Sequence, residues 1–220
     1  MNINWDVLRP IFWQSTWETL QMVITTLVVG GFFGLVLGVL LYTTRKGSVL
    51  ENKWVYNLLN VIVNFVRPIP FIIFIVAIGP LTLSLVGTTI GTKAAIFALI
   101  IAATFGISRI VEQNLVSIDP GVVEAAQAMG ASPFRIITRV LLPEALGPLI
   151  LGYTFVFISV VDMTAVAGSV GGGGLGNFAI VYGSQRFNWW VTWAAVLTII
   201  VLVQAAQFFG NWLSNKALRR

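Results

Sequence analysis

A chain without cysteine or histidine has a short list of chemistries open to it, since disulfides, thiolate nucleophiles and the commonest metal and acid–base ligand are all missing. Ordinary hydrolytic or redox catalysis is therefore not expected. Of the eight acidic residues, Asp162 stands out because it interrupts an otherwise uncharged apolar run. A carboxylate in that position is costly unless it faces a cavity, pairs or takes up a proton, so a functional role is the default expectation. In a water-filled pathway it would attract an ammonium group or a cationic side chain; the alternative is a protonated or hydrogen-bonded structural Asp near an interface. Two glycine patterns imitate nucleotide sites. Gly87 to Lys93, GTTIGTK, lacks the G-K-[ST] ending and the spacing of a P-loop. Gly171-x-Gly173-x-x-Gly176 satisfies a dinucleotide pattern, but no strand precedes it, and it reads better as a turn that uses glycine for unusual backbone angles and close contact, or as a flexible loop.

The elements that carry these residues belong in a bilayer. Hydrophobic residues make up 57% of the 220-residue chain and charged ones only 10%, with a mean hydropathy of +0.91. The net charge of +5 is spread between apolar blocks, which fits membrane topology and not nucleic acid. Apolar segments at about 20–42, 55–79, 94–111, 145–170 and 189–212 are each long enough for a spanning helix. The first, Leu20 to Tyr42, follows an amphipathic stretch, Met1 to Trp17, with Trp5, Trp13 and Trp17 as interfacial anchors; it lacks the marks of a cleaved signal peptide. Gly30, Gly34 and Gly38 form two overlapping G-x-x-x-G steps, a helix-packing face. Arg67-Pro68-Ile69-Pro70 breaks the second segment near its start, and Arg67 either snorkels from its cytoplasmic end or lines an inner mouth. Thr82 to Lys93 reads as a polar loop, Arg109 and Glu112 as an interfacial pair, and the glycine-rich stretch leading to Arg186 as a further loop.

Between the third and fourth spans, residues 113–144 hold a moderately polar segment. Asp119-Pro120 and Ser132-Pro133 are helix start signals, Gly130 is a left-handed cap, and Pro143 is expected to stop the second helix. The reading is helix, sharp turn, helix. With the N-terminus outside, Arg45, Lys46, Lys53, Arg109, Arg135, Arg139, Lys216, Arg219 and Arg220 lie inside and Arg9, Lys93 and Arg186 outside, nine against three. That count predicts an N-out, C-in chain with the polar segment in the cytoplasm. An odd number of spans excludes an inverted repeat filling the whole chain, so a pathway would be built by a dimer.

Glu124-Ala125-Ala126, three residues, Gly130, nine residues, then Val140-Leu141-Leu142-Pro143 resembles the signature of permease subunits of bacterial ABC importers, departing only in Val140 for Ile. Phe65 to Phe71 and Ala167 to Gly176, with the span number and topology, are similar to the methionine-uptake permeases. The resemblance implies an all-α integral membrane protein, one transmembrane domain over residues 1–220 with five spans and two short cytoplasmic coupling helices, of the type I importer fold. It implies a non-catalytic subunit of an amino-acid importer, for methionine (D- or L-), in the bacterial inner membrane. It further implies a second copy of the chain, two ABC ATPase subunits that bind ATP and Mg, and an extracytoplasmic binding protein or lipoprotein as partners, with no cofactor, metal or nucleic acid in this chain. Glu124, Ala125, Ala126, Gly130, Ala131, Pro133, Leu142 and Pro143 would couple to the ATPase. Met163, Thr164 and Val166 would face the dimer interface beside Asp162 and form a weak amino-acid site, though packing explains them as well. Such permeases do not generally carry an acid at Asp162, which leaves open another amino acid, histidine or a basic or polar one. A secondary transporter, a channel, an exporter component or a scaffold are the other classes weighed.

Overall fold

The computed structural model describes residues 5–218; Met1 to Asn4 of the amphipathic stretch, and Arg219 and Arg220 of the inner basic group, lie outside the described residues. Every regular element among the described residues is helical. Helix α1 runs Trp5–Thr44 as one apolar rod, so Trp5, Trp13 and Trp17 belong to the same helix as the expected span 20–42. A wide π turn over Thr26–Gly30 interrupts its ladder.

Helix α2, Lys53–Val66, starts at Asn52, whose side-chain oxygen accepts from the Trp54 and Val55 amides at 3.1 Å each. It stops at Arg67-Pro68-Ile69-Pro70, and α3, Phe71–Ala77, leaves at a bend of 105°. Two prolines within three residues remove two amide donors from the ladder, although Arg67 itself keeps helical angles at φ −57° and ψ −40°. The break thus falls well into the segment instead of near its start, and Arg67 lies about 21 Å along from Lys53 at 1.5 Å per residue.

Helix α4, Gly79–Val86, takes up residues 82–86 at the start of the stretch expected as a polar loop; Pro80 serves its first turn and Gly87, at φ 83°, ends it. Only residues 87–91 remain as loop before α5, Thr92–Val116. Then follow α6, Pro120–Ala128, and α7, which begins at Pro133 and continues through a π turn, Ile137–Leu141, to Glu144. Helix α8 is Leu146–Ser169, α9 is Gly174–Phe178 with a wide turn after it over Ala179–Gly183, and α10 is Trp189–Leu218. The stretch toward Arg186 is therefore largely helical once past Gly173. Among the described residues, four helices are by length and composition fit to cross a membrane, or five if the bent α2–α3 pair counts as one span.

The described residues form two compact units, one from residues 5–30, 69–102 and 157–206 and the other from 31–68, 103–156 and 207–218. In the first, Met22, Ala95, Leu99 and Ala167 form a core against which Phe71, Ile75 and Met163 pack. A second cluster joins Leu175, Phe178, Val191 and Ala195 to Leu8, Ile11 and Phe12 of α1. In the other unit, glycines of α1 let α5 come close. A Cβ on Gly34 would stand 2.6 Å from Ile107 Cβ, and one on Gly38 2.5 Å from Ser108 O. Small residues permit that approach where lipid supplies no hydrophobic drive between helices. Gly30 ends the π turn and is buried.

Candidate functional site

The polar segment after α5 is built by local rules. Asp119 Oδ1 accepts from the Gly121 amide at 2.8 Å, and Pro120 gives up a donor that the first turn does not use. At the other end the Gly130 amide donates to Gln127 O at 2.9 Å and the Ala131 amide to Ala126 O at 3.0 Å, with Gly130 at φ 76°. This is a Schellman ending, which only a residue tolerant of the left-handed region completes without strain. Ser132 precedes Pro133 but makes no side-chain cap. Pro143 does not stop the second helix: the π turn ahead of it ends with Leu142 N bonded to Ile137 O, and helical geometry persists to Glu144. The widened turn accommodates a ring whose missing donor would otherwise interrupt the ladder.

The two helices bury Ala126, Ile136 and Leu141 against the chain. Glu124, Ala125, Gly130 and Pro133 are exposed, and Ala131 and Leu142 are half-buried. On either side of the Gly130 turn, Met129 is 81% and Phe134 74% exposed. Beside α6 a cavity of about 160 Å³ is lined by Tyr42, Arg45, Lys46, Ser48, Glu124 and Gln127. It puts two cations on the same cavity wall as the motif carboxylate. Arg45 lies over the Tyr42 ring at 5.9 Å.

Arg109 and Glu112 pair as their spacing suggests, and the pair is enclosed by the chain. Their side chains are 13% and 8% exposed, with Arg109 Nη1 on Glu112 Oε2 at 2.5 Å. Arg109 Nη2 also donates to Asn60 Oδ1 at 2.7 Å and Asn64 Oδ1 at 2.6 Å, both on α2.

Asp162 is exposed on α8 with no hydrogen-bond or ion-pair partner among the described residues. One turn on, half-buried Val166 shares its face, and exposed Ser169 follows two turns on. Thr164 is turned the other way: it is 2% exposed and its hydroxyl donates to Val161 O at 2.7 Å. Met163 packs on the Met22–Leu99 core. So the structure keeps Asp162 and Val166 together and removes Thr164, and most of Met163, from that surface. Arg67 is exposed at the proline break.

Residues 30–219 match the family described as the binding-protein-dependent transport system inner membrane component. The chain belongs to this family. The permease is 44% identical over 218 residues to the probable D-methionine transport system permease protein of Vibrio cholerae serotype O1, covering 99% of this chain and 95% of the relative. It is 42% identical to the methionine import system permease protein of Bacillus subtilis, covering 92% of this chain and 91% of that one. Its fold matches a chain of the inward-facing MetNI methionine ABC transporter with a TM-score of 0.93 at 40% identity, over 96% of this chain and 97% of that chain. The fold is that of the type I importer permeases.

In this permease the glycine-rich turn is fastened. Gly91 N donates to Gly171 O at 2.8 Å, Gly174 N to Glu18 Oε2 at 2.8 Å and Leu175 N to Thr19 Oγ1 at 2.8 Å. The amides that would cradle a phosphate are thus held by α1, a physical reason why the dinucleotide pattern is accidental. Sequence reasoning did not single out Glu18, Thr19, Asn60, Asn64, Met129 or Phe134. The i, i+4 spacing of Asn60 and Asn64 on an apolar helix was the one available signal among them.

Proposed function

We propose that this permease is the membrane-spanning subunit of an ATP-driven importer of methionine, D- or L-, or a closely similar amino acid. The observation that carries the mechanical part is the α6–α7 hairpin: a rigidly capped turn that presents Met129 and Phe134 to solvent beside Glu124. Large exposed apolar side chains around a fixed turn are what a partner's groove takes up. Substrate identity rests on the methionine relatives at 42% and 44% identity.

Two copies form the pathway, with the N-terminus outside and the C-terminus in the cytoplasm. Two ATPase subunits that bind ATP and Mg receive the hairpins, and an extracytoplasmic binding protein delivers substrate. ATP binding closes the ATPases, carries the paired hairpins together and favours an outward-open pathway; hydrolysis permits return. The chain itself supplies spans and contacts, not a catalytic step. Glu124 meets a basic group of the ATPase or caps backbone donors there, while Ala125 lets the surfaces approach. In the pathway, Asp162 and Val166 present a carboxylate next to an aliphatic surface, which suits weak, transient contact with an amino acid's ammonium group. Weak binding is required, because a ligand shifts a conformational equilibrium only by its difference in affinity between states. The exposed carboxylate also favours a second reading, an importer of the same class for a cationic amino acid.

The test is reconstitution in liposomes with the cognate ATPase and binding protein. ATP hydrolysis should rise with methionine-loaded binding protein, and Phe134→Ala together with Met129→Ala should weaken ATPase association about tenfold, as expected for central apolar anchors. Uptake by the permease without an ATPase, or undiminished association of the double variant, would overturn the reading; competition by arginine in place of methionine would select the cationic substrate.

A further inference from the structure

We propose that Arg109 is a positioning residue that clips α2 to α5, so that a movement imposed on α5 through the cytoplasmic hairpin is carried to the broken span. The inference rests on the ATPase-coupled reading above. Apolar packing does little to hold α2 on its own chain: only Val63 is buried, whereas Trp54, Leu58, Val61 and Phe65 are exposed. The polar network does hold it. Arg109 donates to Asn60 Oδ1 and Asn64 Oδ1, Asn64 Nδ2 donates to Asn60 Oδ1 at 3.2 Å, and Glu112 balances the guanidinium charge from the same helix.

The geometry suits transmission more than cohesion. Asn60 and Asn64 are one turn apart on α2, and Arg109 and Glu112 one turn apart on α5, so each pair occupies one face of its helix. A planar guanidinium with fixed donors meets two amide oxygens at one axial position only, which sets the register of α2 along α5. Leucines would serve a purely cohesive seam as well or better, because burying an ion pair carries a desolvation cost that apolar packing does not. Arg109 lies seven residues, about 10 Å, from the end of α5 at Val116. Three linking residues separate that end from the start of α6 at Pro120. A pull on the hairpin therefore reaches Arg109 along one continuous helix and α2 through the clip.

The experiment measures methionine imported per ATP hydrolysed by the complete complex in liposomes, together with complex assembly and melting temperature. Asn60→Leu with Asn64→Leu should lower that ratio about tenfold while leaving ATP hydrolysis within about twofold of wild type. Asn60→Asp with Asn64 kept, which holds an acceptor oxygen at the same reach, should retain most of the ratio, and Arg109→Lys, which keeps the charge but loses the fork, should resemble the leucine pair. An unchanged ratio in the leucine pair overturns the clip. So does a parallel fall of uptake, hydrolysis and melting temperature, the mark of a merely structural role. Should the leucine pair not assemble, Arg109→Lys decides by the same ratio, and failure of both to assemble also overturns the clip. A wild-type complex without ATP-driven uptake overturns the importer reading and the clip together, whereas a competent wild type with fully coupled variants overturns the clip alone.

Discussion

Asp162 and Arg109 are both charges within apolar helices, and their surroundings assign them opposite duties. Arg109 is enclosed and bonded to three side chains on two helices, so its charge is spent within the chain. Asp162 is exposed and unbonded among the described residues, so no group among them neutralises its charge. Asp162→Asn keeps the shape and removes the charge; if the carboxylate meets substrate ammonium, uptake at low substrate should fall about fivefold, the equivalent of roughly 1 kcal/mol for one such pair. Unchanged uptake kinetics would remove Asp162 from the pathway. The presence of a special residue here was legible in the sequence, because one acid in an apolar run needs no knowledge of neighbours to be noticed. Which residues share its surface was not. At 100° per residue Thr164 lies far around the helix from Asp162 while Val166 returns to it, and only packing decides which side faces inward. Arg109 was misplaced for a related reason: its partners on α2 are 45 and 49 positions away.

At the scale of elements, the turn between α6 and α7 was the most legible part, since Asp119, Gly130 and the prolines act on backbone within a few residues of themselves. Errors came where one element altered the rule for another. Pro143 normally ends a helix, but the π turn ahead of it had already opened the ladder. Residues 82–86 read as the start of a loop because threonine and serine raise polarity, yet Thr82 and Ser84 satisfy their hydroxyls on Ile78 O and Leu81 O and leave the helix intact. The contact of α1 with α5 offers a clean test of packing. Gly38→Leu must displace either the Ser108 carbonyl or Val111, an overpacking cost of about 1–3 kcal/mol, and should lower the melting temperature of the purified permease by about 5 °C. Gly106→Ala, on α5 where nothing lies within 4 Å, is the control and should leave it unchanged or slightly higher.

For the whole molecule, orientation is the property that every other assignment presupposes. The chain has no native cysteine, so single substitutions give an unambiguous label. Lys46→Cys, in the turn after α1, should react with an impermeant maleimide only from the cytoplasmic face, and Thr89→Cys, in the loop before α5, only from the outside; the reverse pattern would invert the molecule and move the hairpin away from any ATPase. The family match starts at residue 30, just where the π turn ends, so it leaves out the part of α1 that bears Glu18 and Thr19. Those two side chains bond to Gly174 and Leu175, 156 positions further on. A chain made in order holds this acid and hydroxyl in reserve until residues 174 and 175 have emerged, and contacts of such high sequence separation are the slow ones to form. Synthesis order and closure order are therefore opposed: α1 waits for amide partners that lie beyond α8, and a ribosome stalled before Gly174 leaves the Glu18 carboxylate without the backbone donor it meets in the finished fold.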